Sequence, residues 1–272
     1  MKKILKKDLF IVRKSCYWWL LLLVCMLFVC MFISVKHFQA EIVTDNVQNV
    51  TDNFSETSYI LDSIDDTIFS YCEFIICSDI LLMFIGVFSI LLSLQEFQNN
   101  YIKNVWLCEK NKNLMFFSKF IVLALYIFIV FCVSIIVISI LAKFVFGINQ
   151  VGNIKLFIQM CIKQYILELA FGSLVMFIAL LIRKQTGVII GFVIYVALGQ
   201  TLIYSGIDLI VEKILNLDNA FAIGKYLLLG NIQRITMEAE NIDSMRAVFI
   251  SVIAILCFSF GSCLSLRKRA VF

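Results

Sequence analysis

Apolar residues run along this chain in blocks about twenty long, and polar residues gather between them. The blocks fall near 16–35, 73–94, 120–146, 157–182, 187–210 and 247–266. Each is long enough to cross a bilayer core. None alternates with period two as an outer-membrane strand does. The pattern therefore predicts an all-α membrane protein with six transmembrane helices, a single domain over 1–272. The longer polar stretches are 1–15, 36–71, 95–119 and 211–246.

Composition agrees with the pattern. The chain is 62% hydrophobic and 15% charged, against about a quarter charged in a soluble domain. Charge placement then sets the topology. Of 23 Lys and Arg, fifteen fall in 1–15, 94–119, 183–184 and 267–269. Basic residues mark the cytoplasmic side, so both termini are expected there, in a cell membrane and by composition a bacterial one. The first apolar block exceeds a signal-peptide core and no small-residue cleavage site follows it, so it is read as a retained span. Residues 36–71 form an acidic outer loop, read as solvated or as a lure for cationic peptides. In 211–246, "FAIGKYLLLGNI" is too short to span and is expected to lie at the interface as a helix.

Ionisable groups inside the blocks are expensive and so informative. Glu73, Asp79, Lys143, Lys163 and Glu168 are the ones present. Asp79 and Lys163 lie at similar expected depth and could pair. Gln164 and Glu168 share a helix face at i,i+4. Asp79, Gln164, Glu168 and Gln200 are the candidate lining of a substrate path. Structural pairing or snorkelling is the plainer account of the same residues. Gly187, Gly191 and Gly199 lie near one face and are read as a close-packing stripe, as is "GSC" at 261–263.

Enzyme and metal chemistry find no support. The chain has no phosphate-binding loop, no H-E-x-x-H and no G-x-S-x-G. Its ten cysteines are scattered without a C-x-x-C pair, and His37 is its single histidine. No catalytic or metal site is expected, and nothing points to nucleic acid.

"LQEFQNNYIKNVWLCEKNKNLMFFSK" (94–119) is the polar stretch that is neither a tail nor plainly a loop. On a helical wheel over 96–108, Phe97, Tyr101, Ile102, Val105, Trp106 and Cys108 spread over one half. Glu96, Asn99, Asn100, Lys103 and Asn104 take the other, with Leu107 the exception. Such a helix lies on a membrane surface, joins two spans, or docks into a partner's groove. "LMFFSK" then leads into the third span, with Lys119 expected to snorkel.

This segment resembles the cytoplasmic loop between spans 2 and 3 of the membrane subunits of ABC exporters of the second class. The likeness rests on Glu96, Phe97, Lys103, Lys112 and Lys119. Asn100-Tyr101 stands where Gly-Thr is usual there, and no proline precedes the second basic residue. The N-terminal "LKKDLFIVRKSCYWW" resembles that family's amphipathic interfacial entry helix. The nearest flavour is the small permeases of peptide-antibiotic export, lantibiotic immunity and bacitracin-type resistance. The resemblance implies a cytoplasmic coupling helix seated on a separate ATPase present in two copies. ATP and Mg would be bound there and no cofactor on this chain, with a second permease chain, identical or homologous, alongside. Glu96, Phe97, Tyr101, Lys103 and Trp106 would carry the ATPase coupling. The alternative reading is an ion-coupled secondary transporter or channel that uses the intramembrane carboxylates.

Overall fold

The computed structural model describes residues 2–51, 67–98, 112–198, 226–237, 239 and 241–268. Among these all regular structure is helical: α1 Lys2–Lys14, α2 Cys16–Thr51, α3 Ile68–Ile76, α4 Asp79–Gln98, α5 Lys112–Phe144, α6 Ile154–Ile182, α7 Gln185–Leu198, α8 Leu228–Arg234 and α9 Asn241–Lys268. Four stretches are long and apolar enough to cross a bilayer: Cys16–Phe38, Leu114–Phe144, Ile154–Ile182 and Asn241–Ser265. They make this a helical membrane protein. The expected second span is not one straight helix. It breaks at Cys77–Ser78, and its halves, Ile68–Ile76 and Asp79–Gln95, meet at 46°. The expected fifth span, 187–210, is described only as far as Leu198 in α7; the rest lies outside the described residues.

The helix ends follow local chemistry. The Thr67 hydroxyl accepts from Ser70 N at 3.2 Å and caps α3. Asn153 Oδ1 accepts from Lys155 N at 3.1 Å and caps α6. Arg183, at φ 60°, turns α6 into α7 within two residues. A left-handed conformation is uncommon in a side chain this large.

Each spanning helix sorts its apolar faces. On α2, Trp18, Cys25, Val29 and Ile33 turn into the bundle, while Leu20, Leu23, Leu27 and Met31 turn outward. Both stripes are apolar because one meets protein and the other lipid. The inward face of α9 carries small residues instead: Ser244, Ala247, Ser251 and Ser262 are all buried. They allow the close approach of α9 to α6, the most extensive helix pairing among the described residues. The expected packing patch at 261–263 is part of it. A Cβ on Gly261 would lie 2.9 Å from the Phe177 ring. The glycines of α7 behave otherwise. Nothing described stands within 4 Å of a Cβ on Gly191, and Gly187 meets only Lys184 at 4.0 Å. Both instead line an apolar crevice of about 410 Å³ between α6 and α7, and Gly199 lies outside the described residues.

The core has two lobes joined by α4, α6 and α9. One centres on Phe88, stacked on Tyr126 at 3.6 Å and met edge-on by Trp18 at 4.6 Å. The other gathers Leu94, Phe171, Phe192, Leu229 and Ile232.

The N-terminal helix is bolted on through a polar contact. Asp8 is buried and accepts a hydrogen bond from the Ser118 hydroxyl of α5. The next residue, Lys119, does not snorkel. It is buried, and its ammonium donates to the Ser93 carbonyl of α4 at 3.2 Å. Ser118→Ala leaves the buried Asp8 carboxylate short of a donor. Such a loss costs about 1–2 kcal/mol. Amide exchange in α1 is expected to quicken at least fivefold while that of α6 stays as it was, read by hydrogen–deuterium mass spectrometry.

Candidate functional site

The polar residues of the bundle converge at the end remote from α1. α6 brings Gln164 and Glu168 to the centre, both completely buried. The Gln164 amide nitrogen donates to the Ile232 carbonyl at 2.5 Å and to the Ile235 carbonyl at 3.0 Å, and stands 3.2 Å from Cys77 Sγ. Two carbonyls facing that nitrogen fix which way the amide points. The Cys77 thiol in turn donates to the Ile235 carbonyl at 3.3 Å.

Two carboxylates complete the arrangement. Asp79 Oδ1 accepts from Gln233 Nε2 at 2.6 Å. Glu73 Oε1 accepts from the backbone N–H of Met237 at 2.8 Å. The segment 228–237 is thus strapped by side chains of α3, of the α3–α4 break, of α4 and of α6. This corrects the expected interfacial helix. Leu228, Leu229, Asn231 and Ile232 of α8 are buried, so the helix is an internal plug. It also corrects the expected pairing of Asp79 with Lys163. Asp79 takes Gln233, and Lys163 donates to the Ser244 hydroxyl at 2.9 Å.

Glu168 is the exception among these groups. Among the described residues, neither of its carboxyl oxygens has a hydrogen-bond partner, nor has Gln164 Oε1. Of the expected path residues, the structure therefore brings Asp79, Gln164 and Glu168 to one region under and around α8, and Gln200 lies outside the described residues. Among the described residues no cluster of His, Cys, Asp and Glu could hold a metal ion.

At the other end, the expected coupling residues are only partly described. Glu96 and Phe97 fall in the last turns of α4, with only their backbone described. Tyr101, Lys103 and Trp106 lie outside the described residues. What is described is the frame around them. α4 leads in, α5 leads out, and Lys119 ties the two at Ser93, with α1 held to the same point by Asp8. Sequence reasoning missed this bracket. Its one available signal was Asp8, the only acidic residue among the first 40 in the chain. Cys77 and Gln233 were missed for want of any signal, since each acquires its role only from a partner far away in sequence.

No curated protein matches the chain. A family model described as a protein of unknown function, DUF2705, matches residues 42–272. That is most of the sequence, and the chain belongs to the DUF2705 family.

Proposed function

We propose that this chain is the membrane-spanning subunit of an ATP-driven ABC exporter, with six spans and both termini in the cytoplasm of a bacterial cell. It moves an amphipathic substrate, of the peptide-antibiotic or bacteriocin class, out of the cell or membrane. A separate cytoplasmic ATPase in two copies supplies the energy, and a second permease chain completes the path. One observation carries the reading. The entry and exit helices of the 96–108 segment, together with α1, are tied at one point by Asp8–Ser118 and Lys119–Ser93. A push on that segment would reach three helices together. The exporter likeness of Glu96, Phe97 and Lys103 says what could push. A second reading, ion-coupled transport, draws on the unpartnered Glu168.

Reversing both charges, Glu96→Lys with Lys103→Glu, is expected to leave the amount of protein in the membrane unchanged. The co-purifying ATPase is expected to fall at least tenfold, and resistance to the exported peptide to disappear with it. The readout is mass spectrometry of the tagged chain isolated in mild detergent. A variant that keeps its ATPase and its transport would sink the coupling assignment. A wild-type chain that purifies without any ATPase would shift the reading to ion-coupled transport.

A further inference from the structure

Among the described residues, the centre of the bundle holds three oxygen acceptors that no hydrogen-bond donor meets. They are both carboxyl oxygens of Glu168 and Oε1 of Gln164 one turn away on the same face. Both side chains have no exposed surface. The Gln164 amide cannot be turned round to help, because its nitrogen is already engaged by the carbonyls of Ile232 and Ile235. No described Lys, Arg or His pairs with Glu168. Among the described residues, two thiols of the surrounding elements lie within electrostatic reach, Cys25 of α2 and Cys77 at the α3–α4 break, and beyond Cys25 stands the buried Tyr126 hydroxyl of α5, which makes no hydrogen bond to Glu168. A bare carboxylate here would cost several kcal/mol. The Lys163 ammonium, five residues before it, is engaged with Ser244. Asp79, Glu73, Cys77 and the Gln164 nitrogen have all found partners on the plug; the atoms left over at this site are acceptors alone.

We propose that Glu168 and Gln164 form an internal site for a cationic hydrogen-bond donor, closed by α8 at the end remote from α1. The chemistry required is a positive charge bearing N–H or O–H groups. Two sources fit: a proton carried on the carboxyl, whose O–H then has Gln164 Oε1 as its acceptor, or the ammonium group of a basic substrate. The strap explains why the site would not leak. Gln164 both lines the site and holds the plug, so the group that meets the cation is the group that must let go for α8 to move. This holds whatever powers the chain, and its test needs no ATPase.

The full chain is purified in detergent as wild type and as Glu168→Gln, and each is melted over a pH series. Each is also melted with methylammonium chloride and with sodium chloride at equal ionic strength. A proton bound only by the native state adds stability as pH falls, by roughly 3–5 °C per pH unit. The wild type is expected to show this slope in excess of Glu168→Gln, which identifies the proton as occupant. A wild-type rise of several degrees with methylammonium, not with sodium, and absent from Glu168→Gln, identifies the ammonium group instead. Superimposed shifts for the two proteins under all conditions overturn the proposal. Should Glu168→Gln not fold, the wild type still decides. It must show either the infrared carbonyl band of a protonated carboxyl at neutral pH or the methylammonium shift, and a protein with neither has no such site.

Discussion

Gln164→Leu is expected to lower the melting temperature by about 10 °C and to speed the labelling of the half-buried Cys77 by a water-soluble maleimide. The magnitude comes from what the amide satisfies. α8 is a seven-residue helix, and the carbonyls of its last turn have no partner within the helix. Ile232 supplies one of those carbonyls and the C-cap Ile235 the next exposed one, and both receive the Gln164 amide. Gln164, Ile232 and Ile235 are all buried, so water does not replace it. The Ile232 carbonyl is then left without a donor and the Ile235 carbonyl with only the weak Cys77 thiol, at a cost of about 1–3 kcal/mol each. For a chain of this size each kcal/mol lost moves the melting point by about 2–4 °C. Leucine fills the volume, so a large loss would report the hydrogen bonds and not a cavity. Cys77 is the built-in reporter, since its thiol is held on the same Ile235 carbonyl. Peptide mass spectrometry separates its label from those of the other cysteines. A variant melting within a degree or two of wild type, with Cys77 labelled no faster, would mean that Gln164 does not hold the strap.

Gly86→Val is the second large effect. Gly86 lies on α4 directly beneath Phe192 of α7. A Cβ there would stand 2.0 Å from the ring's ζ carbon and 2.5 and 2.6 Å from its ε carbons. The ring must swing away, and it is packed in the second lobe of the core near Phe171, at 6.0 Å between centroids. Overpacking of this kind costs about 3 kcal/mol. Phe192→Ala on its own leaves a cavity and costs about as much. Made together, the two changes are expected to cost clearly less than their sum, because the valine then occupies space the ring has vacated. Strictly additive losses, measured by thermal melting of the four proteins, would mean that α4 and α7 do not meet at this pair.

Hydropathy made four spanning helices legible, because lipid-facing and bundle-facing stripes are both apolar and an average over twenty residues sees only their sum. The same averaging hid the α3–α4 break. No proline or glycine marks it. It rests on local bonds instead: Ser78 donates to the Ile75 carbonyl at 2.6 Å and Cys77 N to the Glu73 carbonyl at 2.9 Å. The burial of α8 was illegible for a different reason. "LLGNI" reads as interfacial by length, and what draws it inside is Gln164, 68 residues from Ile232. Helical spacing did place Gln164 and Glu168 on one face, and they are together in the core. The partners of Asp79 and Lys163 went wrong because depth along the bilayer says nothing of azimuth. Gln233 and Ser244 come from the segment that pattern alone leaves as an outer connection. Lys119 turned inward because a backbone acceptor, the Ser93 carbonyl, lies within its reach.

α5 has one more property, which follows from its length. Thirty-three residues without a break make a rod about 50 Å long at 1.5 Å per residue, against a hydrocarbon core of about 30 Å. Some 20 Å of it therefore stands beyond the oil or is taken up by tilt. Its first turn follows the 99–111 connection in the chain, and its last lies at the far face of the molecule beside the loop that carries Gly147 and Gly152. A stiff member of that length does not absorb a displacement; it pivots. The fulcrum would be the Phe88–Tyr126 stack, which sits between its two ends. A shift of an ångström or two applied at one membrane face would then arrive at the other with its sign reversed, as in a beam balance.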